Sequence, residues 1–288
     1  MSTTPDAVPM TAGSLADVVE VLAGHRLAAL TGAGVSTDSG IPDYRGPDSP
    51  PRTPMTFQQF TGDEAFRRHY WARNHVGWRH VHRTMPNAGH RALAALEARG
   101  VVTGLITQNV DLLHEAAGSR HVIDLHGRYD RVRCLACGTA ISRAELATRL
   151  DTLNPGFATA VADIEIAPDA DAVIEQTSGF VVAACSACGG MLKPDIVYFG
   201  ENVPRERVER AFALVDSADA LLVAGSSLTV MSGLRFTMTT GLPASAACRT
   251  KRSPLITVSD EPATSSAAAE STSANARSTR SRGTFSPK

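Results

Sequence analysis

Four cysteines stand in two pairs, Cys134-Leu135-Ala136-Cys137 and Cys185-Ser186-Ala187-Cys188. Each pair can bite one edge of a tetrahedron, and together they supply the four thiolates of a closed, structural zinc site. The same spacing also serves redox dithiols or buried free pairs. Gly138 and Gly189-Gly190, just behind the pairs, suit the tight turns of a zinc knuckle. Cys248 is left over and reads as a free thiol. A second group lies where apolar runs end. Gly32 and Gly34, with Ala33 between them, follow the run 26–31 and let backbone N–H groups approach a phosphate. Gln108, Asn109 and Asp111 close another run and can hydrogen-bond an amide and ribose hydroxyls, although Asn109 or Asp111 could simply cap a helix. His126 closes a third, where an imidazole can move protons near neutral pH or merely be solvated.

The elements that must position these groups alternate. Helical spacing is read over 14–24, 63–83, 87–99, 111–117 and 204–217. Buried strands are read over 26–31, 101–107, 121–125 and 220–224, the last ended by Gly225-Ser226-Ser227. Such alternation predicts an α/β fold, a Rossmann-like doubly wound parallel sheet. The stretch 131–190, bracketed by the cysteine pairs, breaks the rhythm and reads as an inserted small zinc-binding module. The Rossmann-like domain is then discontinuous, 14–130 and 191–260. Residues 1–13 and 262–288 are expected to be disordered, the latter because Ser, Ala, Thr and Arg dominate it.

The composition is that of a globular chain: 288 residues, 43% hydrophobic, 20% charged, net charge −1. That charge gives no general argument for nucleic acid or a membrane surface as partner. No run approaches the ~18 apolar residues of a membrane span. Residues 1–13 lack Lys and Arg and resemble neither a secretory signal nor a transit peptide, so a cytoplasmic location is expected. The oligomeric state is not readable. A hydride-transferring Rossmann unit would place a ribose-binding acid on a second strand about 20 residues past the glycines. Here Pro42, Pro47, Pro50, Pro51 and Pro54 forbid that strand, and the loop's own polar residues must face the ligand.

Six segments resemble the sirtuins, in the order that family uses. They are GAGVSTDSGIPDYRG (32–46), TQNVDLLHEAAG (107–118), DLHG (124–127), the two cysteine pairs, LKPDIVYFGE (192–201) and AGSSLTVMSG (224–233). The resemblance covers roughly residues 14–236. The Asp-Tyr-Arg loop and the segment 68–74 are similar to the class II branch. This resemblance implies an NAD-dependent protein lysine deacylase with structural zinc, acting on acylated lysine in proteins or peptides. Its products would be nicotinamide, O-acyl-ADP-ribose and free lysine. Gly32, Ala33, Gly34, Thr37, Gly225, Ser226 and Ser227 would hold NAD. Asp43, Tyr44 and Arg45 would close over the nicotinamide ribose, which Gln108, Asn109 and Asp111 line. His126 would be the general base, with Asn109 as second catalytic residue. Val197, Phe199 and Gly200 belong to a segment similar to the one that pairs with substrate peptide. Tyr70 and Arg73, one helical turn apart, match a pair that reads the acyl group in a related branch, or they simply decorate a helix. Mono-ADP-ribosyl transfer, or an NAD-binding scaffold without turnover, are the alternatives. Beyond Phe236 the family continues with a helix and a strand ending in Asn. Here 241–247 and 254–259 are the strand candidates, and Ser259 takes the Asn position.

Overall fold

The computed structural model describes residues 15–44, 54–159, 174, 176–229, 233, 235–236 and 255–258. The expected disorder of 1–13 and 262–288, Arg45, Cys248 and the strand candidate 241–247 lie outside the described residues.

Two sheets organise the chain. The larger is built from β1 (Leu27–Thr31), β2 (Val102–Thr107), β3 (Val122–Asp124), β7 (Ala220–Ala224) and β8 (Leu255–Val258). Its strand order is β3-β2-β1-β7-β8, and every pair is parallel. The late candidate 254–259 contains β8, which pairs with β7. Strand β1 is buried throughout, as a central parallel strand must be. Its alternation divides the core. Ala28 and Leu30 pack with Ala211 and Val215 of helix α7 (Arg205–Ser217). Leu27 and Ala29 pack with Leu93 of α4 (Ala88–Ala98) on the other face. Each fully buried leucine of this kind contributes roughly 1.5–3 kcal/mol.

The smaller sheet is antiparallel: β4 (Gly127–Cys134) lies between β5 (Ala140–Ser142) and β6 (Leu192–Ile196). It extends beyond the expected 131–190 at both ends. Its core also draws in two helices from far upstream, α2 (Phe57–Gly62) and α3 (Glu64–Val81), besides α6 (Arg143–Leu153). Phe60, Tyr70, Trp71 and Trp78 pack there with Tyr129, Val132, Leu146 and Leu150. The lobe is therefore made of two chain segments and is not a plain insertion. Helix α2 begins with a capping box between Thr56 and Gln59. Asp63 caps α3 through the N–H groups of Ala65 and Phe66.

Arg143 is fully buried at the start of α6. Its guanidinium donates to Asn74 Oδ1 at 3.1 Å and lies over the rings of Trp71 and Trp78, 5.7 and 5.2 Å from their centroids. Two indole faces and an amide oxygen thus offset the lost hydration of the charge. The expected helix over 111–117 is shorter: α5 spans Leu113–Ala116, since Leu112 is left-handed at φ 66° and Asp111 Oδ1 caps the Leu113 N–H.

Gly127 joins the sheets with φ 94°, and a Cβ there would sit 2.0 Å from the Asp195 carbonyl oxygen. Gly127→Ala is expected to cost about 3 kcal/mol or more in urea unfolding, because left-handed strain and a backbone clash add.

Candidate functional site

In an open parallel sheet, ligands bind outside the carboxyl ends of strands that leave in opposite directions. Here that point lies between β1 and β7. Strand β1 runs through Gly32 into a 3-10 helix over Ala33–Ser39. Strand β7 runs into Gly225, whose φ is 61°. The two turns touch. A Cβ on Gly32 would lie 2.7 Å from Gly225 O, and one on Gly225 would lie 2.1 Å from Val35 N. Gly34 N–H donates to Gly225 O at 2.8 Å. Only glycine permits this approach, which brings two backbone turns together with no Cβ between them.

A polar chain supports the cradle from below. Asn109 Nδ2 donates to Gly32 O and to Ser36 Oγ, both at 3.0 Å. Ser36 Oγ donates in turn to Asp111 Oδ2 at 2.7 Å. Deeper still, Thr31 Oγ1 donates to Thr107 Oγ1 at 3.0 Å and meets His114 Nε2 at 2.8 Å. Burial, aided by the neighbouring His90, pushes the His114 pKa down to about 3, so this imidazole is neutral. Gln108 is gripped from the β7 side, where Ser226 Oγ donates to its Oε1 at 2.6 Å. A Cβ on Gly233 would meet Gln108 Nε2 at 2.5 Å.

His126 is half-buried at the end of β3. Its Nδ1 lies 2.9 Å from the Gln108 carbonyl oxygen. A carbonyl only accepts, so Nδ1 carries the proton and Nε2 is the basic nitrogen. Burial lowers its pKa, with the Gln108 bond opposing and Arg207 adding to the fall. Asp124, two residues earlier, is pushed up to about 6 by burial and by Glu115, against the pull of Arg128. Arg128 holds Glu115 and Asp124 at 2.7 and 2.8 Å.

Nine of the residues singled out in the sequence thus converge: Gly32, Ala33, Gly34, Gln108, Asn109, Asp111, His126, Gly225 and Ser226 gather around the turns that end β1, β2, β3 and β7. Others fall differently. Thr37 is exposed and closes its own turn on Gly34 O at 2.9 Å, while buried Ser36 enters the network. Ser36 escaped sequence reading, although a three-residue period from Ala33 places it on the same side. Ser227 is exposed and meets Thr229 Oγ1 at 2.9 Å. Asp43 and Tyr44 are half-buried. Tyr70 is a core residue, 2% exposed, stacked edge-on with Phe60 and Tyr198 and accepting from Asn74 Nδ2 at 3.0 Å. Arg73 is half-buried and donates to His69 Nε2 at 3.0 Å. Val197 N–H donates to the His126 carbonyl at 2.7 Å, and Phe199 bridges Thr56.

The cysteines form a separate centre. Their four Sγ atoms lie within 4.8 Å of one another. Cys134–Cys188 and Cys137–Cys185 sulfurs are 3.6 and 3.8 Å apart. A tetrahedron with bonds of about 2.3 Å has edges of about 3.8 Å, so the set fits zinc. The two halves repeat one turn: Gly138 and Gly189, both at φ 73°, donate to the carbonyls of Cys134 and Cys185 at 3.0 and 2.8 Å.

The profile of the Sir2 family matches residues 32–232. A protein of Mycobacterium avium (strain 104), named NAD-dependent protein deacetylase 1, is 67% identical over 223 residues, 76% of this chain and 79% of that one. One of the same name from Streptomyces coelicolor is 54% identical over 239 residues, 82% and 80% of the two chains. Among solved structures, one described as Sir2–p53 peptide–NAD+ superposes with a TM-score of 0.60 at 27% identity, covering 86% of this chain and 87% of that one. Elemental analysis should find one zinc per chain. Cys185→Ser should abolish it and lower the thermal midpoint by about 10 °C or more, since metal and lobe fold together.

Proposed function

The chain belongs to the Sir2 family, and we infer from this membership and from the crevice between β1 and β7 that it removes acyl groups from lysine at the expense of NAD. It is an NAD-dependent protein deacetylase. The observation that carries the reading is the convergence of the glycine cradle, Gln108, Asn109 and the His126 imidazole on one crevice.

We assign Gly32, Ala33, Gly34, Gly225, Ser226 and Ser227 to the phosphates, with Thr37 holding the turn. Asp43, Tyr44 and Arg45 cover the nicotinamide ribose. Gln108, Asn109 and Asp111 orient the ribose and amide. When bound, NAD supplies the electrophilic ribose carbon that takes the acyl oxygen as nicotinamide leaves. His126 Nε2 accepts a ribose hydroxyl proton, a role open to it because burial keeps the ring neutral near pH 7. Asn109 orients the same sugar through its amide. Val197, Phe199 and Gly200 present backbone to the acylated peptide. The same geometry would serve mono-ADP-ribosyl transfer, and product analysis distinguishes O-acyl-ADP-ribose from protein-bound ADP-ribose.

We place the chain in the class II branch on its Asp43-Tyr44-Arg45 loop. Thiolates paired as Cys-x-x-Cys support a cytoplasmic location. No helix among the described residues is long and apolar enough to cross a membrane.

Nicotinamide release with a panel of acyl-lysine peptides tests the activity, and absence of release despite bound zinc and NAD would overturn it. His126→Ala should cut kcat/KM about a thousandfold. Because Nε2 must be unprotonated, kcat/KM should rise with pH through an inflection below 6.5 and then level off. An inflection above 6.5 would remove His126 from the role. Arg73 is assigned to acyl choice by its charge, with Tyr70, on the same helix, acting indirectly, buried against Phe60 and Tyr198. Arg73→Ala should change the ratio of rates on acidic acyl and acetyl peptides. Equal rates for variant and parent on every acyl group would sink this assignment.

A further inference from the structure

Lys193, the one lysine among the described residues, has its ammonium in the core; it is 4% exposed. It stands on β6, four residues before Val197, the first residue assigned above to the substrate peptide. Its Nζ lies 2.9 Å from Glu201 Oε2 and donates to the carbonyls of Ile196 and Pro194 at 2.5 and 3.3 Å. The Tyr198 ring centroid is 4.4 Å away and that of Phe57 is 5.9 Å away. Glu201 Oε2 also accepts the Tyr198 N–H at 2.9 Å. The ion pair therefore reaches around residues 194–201 and draws the end of β6 onto the turn that follows.

We propose that the Lys193–Glu201 pair positions the substrate-reading segment, fixing residues 197–200 against both His126 and helix α2. The proposal rests on the deacetylase reading. Three anchors define the segment. Val197 N–H is bonded to the His126 carbonyl at 2.7 Å, and the Phe199 carbonyl accepts from Phe57 N–H at 2.9 Å. The ion pair holds Tyr198 between them. A charge this buried is retained at a desolvation cost that a hydrophobic residue would avoid, and such pairs persist where register matters. Here the register is that of the segment beside His126: the Phe199 residue is 47% exposed, although Tyr198 and Ile196 are buried. Lys193 and Glu201 are positioning residues, with no contact to the reacting atoms required of them.

The test compares Lys193→Met, Glu201→Gln and Lys193→Arg on two substrates: a long acetylated peptide and end-blocked acetyl-lysine, which has no flanking backbone to pair. Zinc content and thermal midpoint identify any variant that fails to fold. For Lys193→Met and Glu201→Gln the long-peptide KM should rise about tenfold, while kcat, the KM for NAD and the acetyl-lysine KM stay within about twofold. Lys193→Arg, which can still pair with Glu201, should restore most of the loss. An unchanged long-peptide KM in folded variants would overturn the proposal, as would an equal loss on both substrates. A parent protein that releases no nicotinamide with any acyl substrate would overturn the deacetylase reading instead. In that event, unchanged calorimetric affinity of Lys193→Met for the long peptide still overturns the positioning role, and weakened affinity upholds it.

Discussion

The site depends on one steric constraint: the turns that follow β1 and β7 come closer than any side chain allows. Gly32, Gly34 and Gly225 meet backbone to backbone, and a single Cβ at either side would strike the other turn. Close approach leaves backbone, and no Cβ, where the two turns meet. It also dictates what must lie beneath. Asn109 bonds the Gly32 carbonyl, Ser36 bonds Asp111, and the buried Thr31, Thr107 and His114 carry the load one layer down. Paired members of a buried polar network specify one arrangement; in this one His114 Nδ1 lacks a hydrogen-bond partner among the described residues.

His126 is set by the same logic. His126 is bonded through its ring to the carbonyl of Gln108 and through its own carbonyl to Val197. One residue thus ties the strand ends of the large sheet to the segment leaving the small one. The tautomer follows from the first bond, and the position of Val197 relative to His126 follows from the second.

Much of this was legible in the sequence where local chemistry dictates structure. The apolar runs became β1, β2, β3 and β7, and Asp63 and Asn87 cap α3 and α4 where the helical spacing begins. The paired cysteines closed into one cluster. The parts that were not legible rest on contacts between distant segments. Nothing in the spacing of 57–81 says that Phe60, Tyr70 and Trp71 pack beside the cysteine lobe, because an aromatic helix face does not name its partner. Tyr70 and Arg73 are one turn apart, yet Tyr70 sits among rings and Arg73 sits against His69. Burial of Lys193 and Arg143 was equally hidden, since lysine and arginine are read as surface residues unless a partner is known.

The two-segment make-up of the small lobe has a bearing on how the chain is built during synthesis. Its core joins Phe60 to Ile196, so α2 and α3 emerge from the ribosome long before β6, which completes their packing. The central strand β1 likewise acquires its second neighbour only when β7 appears at Ala220. Through most of translation both lobes remain open on one side, with Trp71 and Phe60 uncovered until β6 is made. Domains usually fold as units in order of synthesis. In this chain the lobes interleave, and the last third of the sequence closes both.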